Sequence, residues 1–172
     1  PNMKTPVVLA LPLNAEVSVA AVRGDFAEIA SLGFVWAAHL APRDAFETDF
    51  VAVAERFLNV PYLWGGKTFA GLDCSGLVQT SLVASGRASP RDTDMMFASL
   101  GETLVIDDDL KGLERGDLVF WKGHVGVMRD ERTLLHANGH HMAVASEPLR
   151  EARDRIAAKS FGAITAFKRM SR

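Results

Sequence analysis

The chain contains a single cysteine, Cys74, at the start of an apolar segment that has the composition of a helix. One cysteine excludes an internal disulfide, so a chain of 172 residues with 48% apolar content must fold around a hydrophobic core. The segment from Ser75 to Ser85 contains no proline. Asp73 is a preferred N-cap residue, and it therefore predicts that Cys74 lies in the first turn of a helix.

A cysteine at the start of a helix is a candidate nucleophile. The thiolate is the reactive form, and a free cysteine has a pKa of about 8.5. A helix N-terminus and a nearby imidazolium both lower that pKa, so the pattern predicts that Cys74 is ionised in the free protein. The free amides of the first turn can also stabilise a developing oxyanion. The alternative is that Cys74 is a small buried apolar residue.

Two of the histidines that follow the cysteine, His124 and His136, lie in or beside predicted strands. These strands are the short apolar runs Leu118–Trp121, Val125–Met128 and Thr133–Ala137. If residues 129–131 form a three-residue hairpin loop, His124 lies directly opposite His136, with Cβ atoms about 4.5–5.5 Å apart. A two-residue loop would place the two rings on opposite faces of the sheet. The first register allows a hydrogen bond between the two imidazoles.

Six motifs in this order resemble the NlpC-type cell-wall cysteine peptidases, a papain-like family that cleaves peptidoglycan stem peptides. The resemblance covers residues 47–172. The motifs are Pro61-Tyr62-Leu63-Trp64-Gly65-Gly66, Asp73-Cys74-Ser75-Gly76-Leu77-Val78, Pro90-Arg91-Asp92-Thr93, Gly116-Asp117-Leu118-Val119-Phe120, His124-Val125-Gly126-Val127 and Leu135-His136-Ala137. The resemblance implies that Cys74 is the nucleophile, that His124 is the general base, and that His136 orients the base.

The resemblance also implies a substrate-binding set, composed of Tyr62, Asp73, Ser75 and Thr93. Two of these positions have open alternatives. Asp73 is either a substrate acceptor or only the cap of the helix. Tyr62 and its neighbour Trp64 either contact the substrate or pack their loop against the core.

The implied fold class is α+β, a papain-like domain of helices packed on an antiparallel sheet over residues 47–172. Before it, residues 1–46 resemble a small all-β SH3-like barrel. That weaker resemblance rests on Gly24-Asp25-Phe26, Gly33-Phe34-Val35 and His39-Leu40-Ala41-Pro42. Further predicted elements are strands at 16–22, 26–31, 34–38 and 163–168, a helix at 49–59 capped by Thr48, and a short helix at 95–100.

The resemblance implies a cysteine peptidase that hydrolyses the amide between γ-D-glutamate and a diamino acid, in cell-wall turnover or murein peptide recycling. Its partner would be a peptidoglycan stem peptide or a released murein peptide. Two alternatives stay open: a thiol-dependent amidase or acyltransferase that uses the same three residues, and a non-catalytic wall-binding module. If the amino terminus is complete, the recycling role would be cytoplasmic; otherwise the protein would be periplasmic or secreted.

Several other classes are disfavoured by the sequence. A net charge of −2 gives no basic surface for nucleic acid, and no apolar run is long enough to span a bilayer. We expect no cofactor. His136, His140 and His141 suggest a metal site, but no HExxH or paired CxxC pattern accompanies them, so no metal is predicted. The oligomeric state is left open by the sequence.

Overall fold

A computed structural model describes residues 2–171 and divides the chain after Phe46 into two compact units. The first unit contains strands β1 (Val19–Arg23), β2 (Phe26–Ile29) and β3 (Gly33–Trp36), which pair in that order as an antiparallel sheet. Gly24, at φ 61°, makes the tight turn between β1 and β2. Among the described residues, β1 and β3 pair only with β2, so the expected closure into a barrel is not seen.

The second unit is an α+β domain built on a six-stranded antiparallel sheet. Its helices are α1 (Phe50–Glu55), α2 (Cys74–Ala84), α3 (Thr93–Ser99) and α4 (Leu149–Lys159). Its strands are β4 (Lys67–Thr68), β5 (Gly71–Leu72), β6 (Glu102–Leu104), β7 (Leu118–Trp121), β8 (His124–Met128), β9 (Thr133–Asn138), β10 (Ala143–Pro148) and β11 (Ala166–Arg169). The sheet has the order β10-β9-β8-β7-β11-β6, and β4 pairs with β5 separately.

Helices cover both faces of this sheet. Successive strand residues point to opposite sides, so each face carries its own apolar side chains. On one face, α1 and α2 pack on a cluster that includes Phe120, Val125 and Val127. On the other face, α4 packs on a cluster that includes Trp121 and Met128. None of the described helices combines the length and the apolar character needed to cross a bilayer.

The hairpin between β8 and β9 differs from the predicted register. Val127 pairs with Leu135, so the loop consists of residues 130–132 instead of 129–131. The reason is Asp130, whose carboxylate accepts hydrogen bonds from the amides of Arg132 and Thr133, both at 2.8 Å. This side chain fixes the turn one residue later than expected.

The corrected register changes how the two histidines meet. Continuing it places Gly126 opposite His136, and His124 lies two residues along the same face. The prediction that the histidines are directly opposite is therefore wrong, although the prediction that they share a face is confirmed by their contact. The two rings meet diagonally, across a position that has no side chain.

The sequence predicted the first helix of this domain with the wrong bounds. It begins at Phe50 with Asp49 as its cap, because the Asp49 carboxylate accepts a hydrogen bond from the Val51 amide at 2.9 Å. Thr48 is not the cap, and the helix ends at Glu55. Strand β10 and helix α4 were not predicted at all.

Candidate active site

Helix α2 begins as predicted, with Cys74 as its first residue and Asp73 as its cap. The Asp73 carboxylate accepts a hydrogen bond from the Gly76 amide at 2.7 Å. Gly76 allows a close approach here, since a Cβ atom at that position would lie 2.2 Å from the Gly66 carbonyl oxygen. The start of the helix is thus held against the preceding loop, and the Cys74 side chain is buried at 6% exposure.

Asp73 and Ser75, both predicted to bind substrate, are held by an arginine that the sequence analysis assigned no role. Arg91 donates to the Asp73 carboxylate at 2.6 Å and to the Ser75 hydroxyl at 2.7 Å. The amide of Gly65 also donates to Asp73, at 2.8 Å. The carboxylate of Asp73 is therefore occupied by protein donors, while the Arg91 side chain stays 29% exposed. The signal for Arg91 was its place in the same motif as Thr93.

Thr93 and Tyr62 lie close to the Cys74 sulfur. The Thr93 hydroxyl is 3.8 Å from the Cys74 sulfur. Tyr62 is half-buried, and burial, followed by the charges of Cys74 and Asp73, raises the pKa of its hydroxyl. Trp64 is 80% exposed, so the interpretation that it packs against the core is wrong.

The two histidines are joined by a direct hydrogen bond. Nε2 of His124 lies 2.8 Å from Nδ1 of His136, and both side chains are buried. Since Nε2 of His124 is engaged, Nδ1 is the nitrogen left for reaction with another group. The ring of Phe161 stacks on the His124 ring, with centroids 5.1 Å apart and planes 4° from parallel.

Two further residues, Glu147 and Arg155, extend this chain of hydrogen bonds beyond His136. Nε2 of His136 lies 2.7 Å from Oε1 of Glu147, which is on β10. Arg155, on α4, donates to both oxygens of Glu147. Sequence reasoning missed both residues because it missed their elements. The available signal was the helical spacing of Leu149, Ala152 and Ile156, which face the sheet.

The Cys74 sulfur lies near the end of β8 that carries His124. The amide of Val125, the residue that follows His124, acts on the Cys74 sulfur and lowers the pKa of the thiol, against the larger effect of burial. Strand β8 pairs with β9 through Val127 and Met128, at the far end of the strand from His124. Within residues 2–171 no hydrogen bond joins the sulfur to the His124 ring directly. The two groups are neighbours through the backbone between them.

The charge state of the resting site differs from the predicted one. Burial raises the pKa of the Cys74 thiol, and this outweighs the amide of Val125 and the hydroxyl of Thr93, which lower it. Burial, followed by the proximity of His136, lowers the pKa of His124 to about 3. These two shifts favour a neutral thiol and a neutral imidazole, whereas the sequence pattern led to the expectation of an ionised sulfur.

His136, His141 and Glu147 are the described residues whose ligand atoms are close enough to suggest a metal site. Their chemistry does not fit one. The 2.7 Å separation of His136 and Glu147 is a hydrogen-bond distance. The guanidinium of Arg155 already neutralises the Glu147 carboxylate. A second cation at this carboxylate would be repelled by Arg155.

Gly126 provides a test of the diagonal contact between the histidines. A Cβ atom there would lie 2.7 Å from Leu134 Cδ1 and 3.2 Å from His136 Cβ. We expect Gly126→Ala to lower the free energy of unfolding by about 1–3 kcal/mol through overpacking. Displacement of His136 should lower kcat as well. Urea unfolding and peptide turnover measure the two effects.

The matched control is Gly139→Ala, since a Cβ atom at Gly139 meets nothing within 4 Å. This variant should keep the stability and the turnover of the wild type. Equal behaviour of the two alanine variants would contradict the role given to Gly126.

Residues 59–157 match the model of the NlpC/P60 family. A curated relative, the gamma-D-glutamyl-L-lysine dipeptidyl-peptidase of Bacillus subtilis, is 35% identical over 97 residues, which are 52% of this chain and 31% of that protein. The chain spans about a third of the length of the curated relatives it matches.

Solved structures share the fold. An NlpC/P60 family protein from Bacillus cereus superposes with a TM-score of 0.67 at 20% identity, over 93% of this chain and 55% of that chain. The peptidoglycan hydrolase RipB from Mycobacterium tuberculosis superposes with a TM-score of 0.55 at 26% identity, over 72% of this chain and 64% of that chain. Helices packed on an antiparallel sheet are thus common to this chain and these structures.

Proposed function

Because this chain belongs to the NlpC/P60 family of peptidases, we propose that it hydrolyses the amide between γ-D-glutamate and a diamino acid in peptidoglycan stem peptides. The observation that carries the proposal is the placement of the Cys74 sulfur at a helix start, beside the amide that follows His124. The Bacillus subtilis relative, a gamma-D-glutamyl-L-lysine dipeptidyl-peptidase, supports the choice of substrate.

The proposed reaction begins from a neutral pair. Nδ1 of His124 accepts the thiol proton of Cys74 as the sulfur attacks the γ-carbonyl carbon. The amide of Val125 and the hydroxyl of Thr93 stabilise the thiolate as it forms. The imidazolium of His124 then protonates the departing amine, which leaves a thioester on Cys74. Water, deprotonated by His124, hydrolyses the thioester and releases the glutamyl product.

Arg91 supports the choice of a γ-glutamyl substrate. In a γ-linked D-glutamyl residue the α-carboxylate stays free and lies near the scissile amide. Arg91 is a partly exposed guanidinium whose two terminal nitrogens are anchored on Asp73 and Ser75, the neighbours of Cys74. A fixed guanidinium is suited to bind a carboxylate. We propose that Arg91 binds this α-carboxylate.

The test is product analysis by mass spectrometry on two peptides, L-Ala-γ-D-Glu-diaminopimelate and L-Ala-γ-D-Glu-L-Lys. We expect L-Ala-D-Glu and the free diamino acid to appear. Peptides with D-isoglutamine, in which the α-carboxylate is an amide, should react more slowly. Absence of cleavage in all four peptides, or cleavage between L-Ala and D-Glu, would overturn the proposal. Addition of a free amine distinguishes hydrolysis from acyl transfer, which would yield a new amide.

The amino-terminal unit is a small antiparallel three-stranded sheet. We propose that residues 1–46 are an SH3-like module and that residues 47–172 are the peptidase domain. The support is the sequence resemblance of this region, together with the division of the chain after Phe46.

A further inference from the structure

The buried hydrogen bonds beyond His136 bear on which ring nitrogens of the two histidines carry a hydrogen. The inference drawn from them rests on the proposed function. The chain of contacts runs from Arg155 through Glu147 and His136 to His124. Each hydrogen bond in it needs one donor and one acceptor. The chemistry of the first two residues decides which atom donates in every later bond.

Glu147 is an acceptor in this chain. Arg155 donates to both of its oxygens, and the Glu147 side chain is 9% exposed. The hydrogen bonds from His136 and Arg155 lower the pKa of Glu147 to about 2 despite the opposing effect of burial. An ionised carboxylate has no proton to donate. Nε2 of His136 must therefore carry the hydrogen of the 2.7 Å bond to Glu147.

The second bond follows from the first. A neutral imidazole carries one hydrogen, and burial favours the neutral form of His136 by lowering its pKa. Since Nε2 of His136 carries that hydrogen, Nδ1 presents a lone pair. His124 must then donate from Nε2 across the 2.8 Å contact. Nδ1 of His124 is left without a hydrogen, which is the state that a base requires.

We propose that Glu147 is a positioning residue which, through His136, fixes the tautomer of His124 that can accept the proton of Cys74. The opposite arrangement, with the hydrogen of His136 on Nδ1, would place the hydrogen of His124 on its own Nδ1. That tautomer cannot accept the thiol proton. Arg155 keeps the Glu147 carboxylate ionised and oriented. The charged or titratable groups that face His136 are His124, Glu147, Arg155 and, from the loop after β9, His141.

The test compares Glu147→Gln with the matched control Glu151→Gln, which removes an exposed carboxylate from α4. Two-bond ¹H–¹⁵N correlation spectra of ¹⁵N-histidine protein report which ring nitrogen carries the hydrogen. Wild type and Glu151→Gln should both show the Nε2–H form of His124 and His136. Glu147→Gln should populate the Nδ1–H form, with kcat lowered about 10- to 100-fold and KM within about twofold of wild type.

If a folded Glu147→Gln protein keeps the wild-type tautomers of His124 and His136, the inference is overturned, whether or not kcat falls. If that variant does not fold, the wild-type spectrum still decides, because an Nδ1–H form of His124 or His136 in the wild type would contradict the inference. The spectra need no substrate, so an absence of hydrolysis by the wild type would refute only the proposed function.

Discussion

Cys74→Ala is expected to lower peptide hydrolysis by about 10⁴-fold or more while leaving the fold intact. In the proposed reaction the sulfur is the atom that forms the thioester, and no other described residue at this site offers a thiol. Alanine is well tolerated in a helix, and the cap formed by Asp73 does not involve the Cys74 side chain. Hydrolysis is measured on L-Ala-γ-D-Glu-diaminopimelate, and folding by circular dichroism and thermal unfolding.

Cys74→Ser is the matched variant, because it keeps a hydroxyl in the place of the thiol. It should retain the contact with Thr93 and should be nearly as inactive as Cys74→Ala, since a hydroxyl is a much weaker acid than a thiol. Hydrolysis by a well-folded Cys74→Ala protein within about tenfold of the wild-type rate would refute the assignment of the nucleophile.

The protein is expected to lose stability steeply as the pH falls below 6.5. Burial lowers the pKa of both His124 and His136 in the folded protein, whereas in the unfolded chain both titrate near 6.5. Below that pH the unfolded chain binds protons that the folded protein excludes. With its pKa lowered to about 3, His124 alone then costs roughly 2 kcal/mol of stability by pH 5, and the lowered pKa of His136 adds to that loss. The loss from His124 alone is a substantial part of a typical stability of about 5–15 kcal/mol.

Glu147 extends the effect to lower pH. Its pKa is lowered to about 2 in the folded protein. Its contribution to the stability is therefore fully present above pH 4.5, the ordinary pKa of a glutamate, and is lost as the pH falls toward 2. Urea unfolding at a series of pH values, followed by the fluorescence of the buried Trp121, measures the dependence. His124→Gln should make the loss of stability between pH 6.5 and 5 smaller, by roughly 2 kcal/mol over that range. His39→Gln, at an exposed position, should leave it unchanged, and an equal effect of both variants would contradict the explanation.

Local sequence signals were sufficient for the elements that carry the predicted catalytic residues. The helix that starts at Cys74 follows from a capping aspartate and an unbroken apolar segment, and the structure confirms it. The strands around His124 and His136 follow from short apolar runs, and they too are confirmed. In each case the determining interactions lie within a few residues along the chain.

Interactions between distant residues were not predictable in the same way. The hairpin register depends on which residue of a polar stretch caps the turn, and Asp130 was one of several candidates. Glu147 and Arg155 become meaningful only once β10 and α4 are known to lie beside His136. The charge state of Cys74 depends on whether burial, which raises the pKa of the thiol, outweighs the groups that lower it. A sequence motif does not indicate how deeply a side chain is buried.

The residues of the candidate site are divided between the two faces of the six-stranded sheet. Cys74 belongs to the layer of α2, together with Arg91 and Thr93, while Glu147 and Arg155 belong to the layer of α4. If the proposed roles hold, the residues that bind the peptide and those that position the His124 ring lie on opposite faces of one sheet. The residues that bind the peptide could then be exchanged without changing those that position the base.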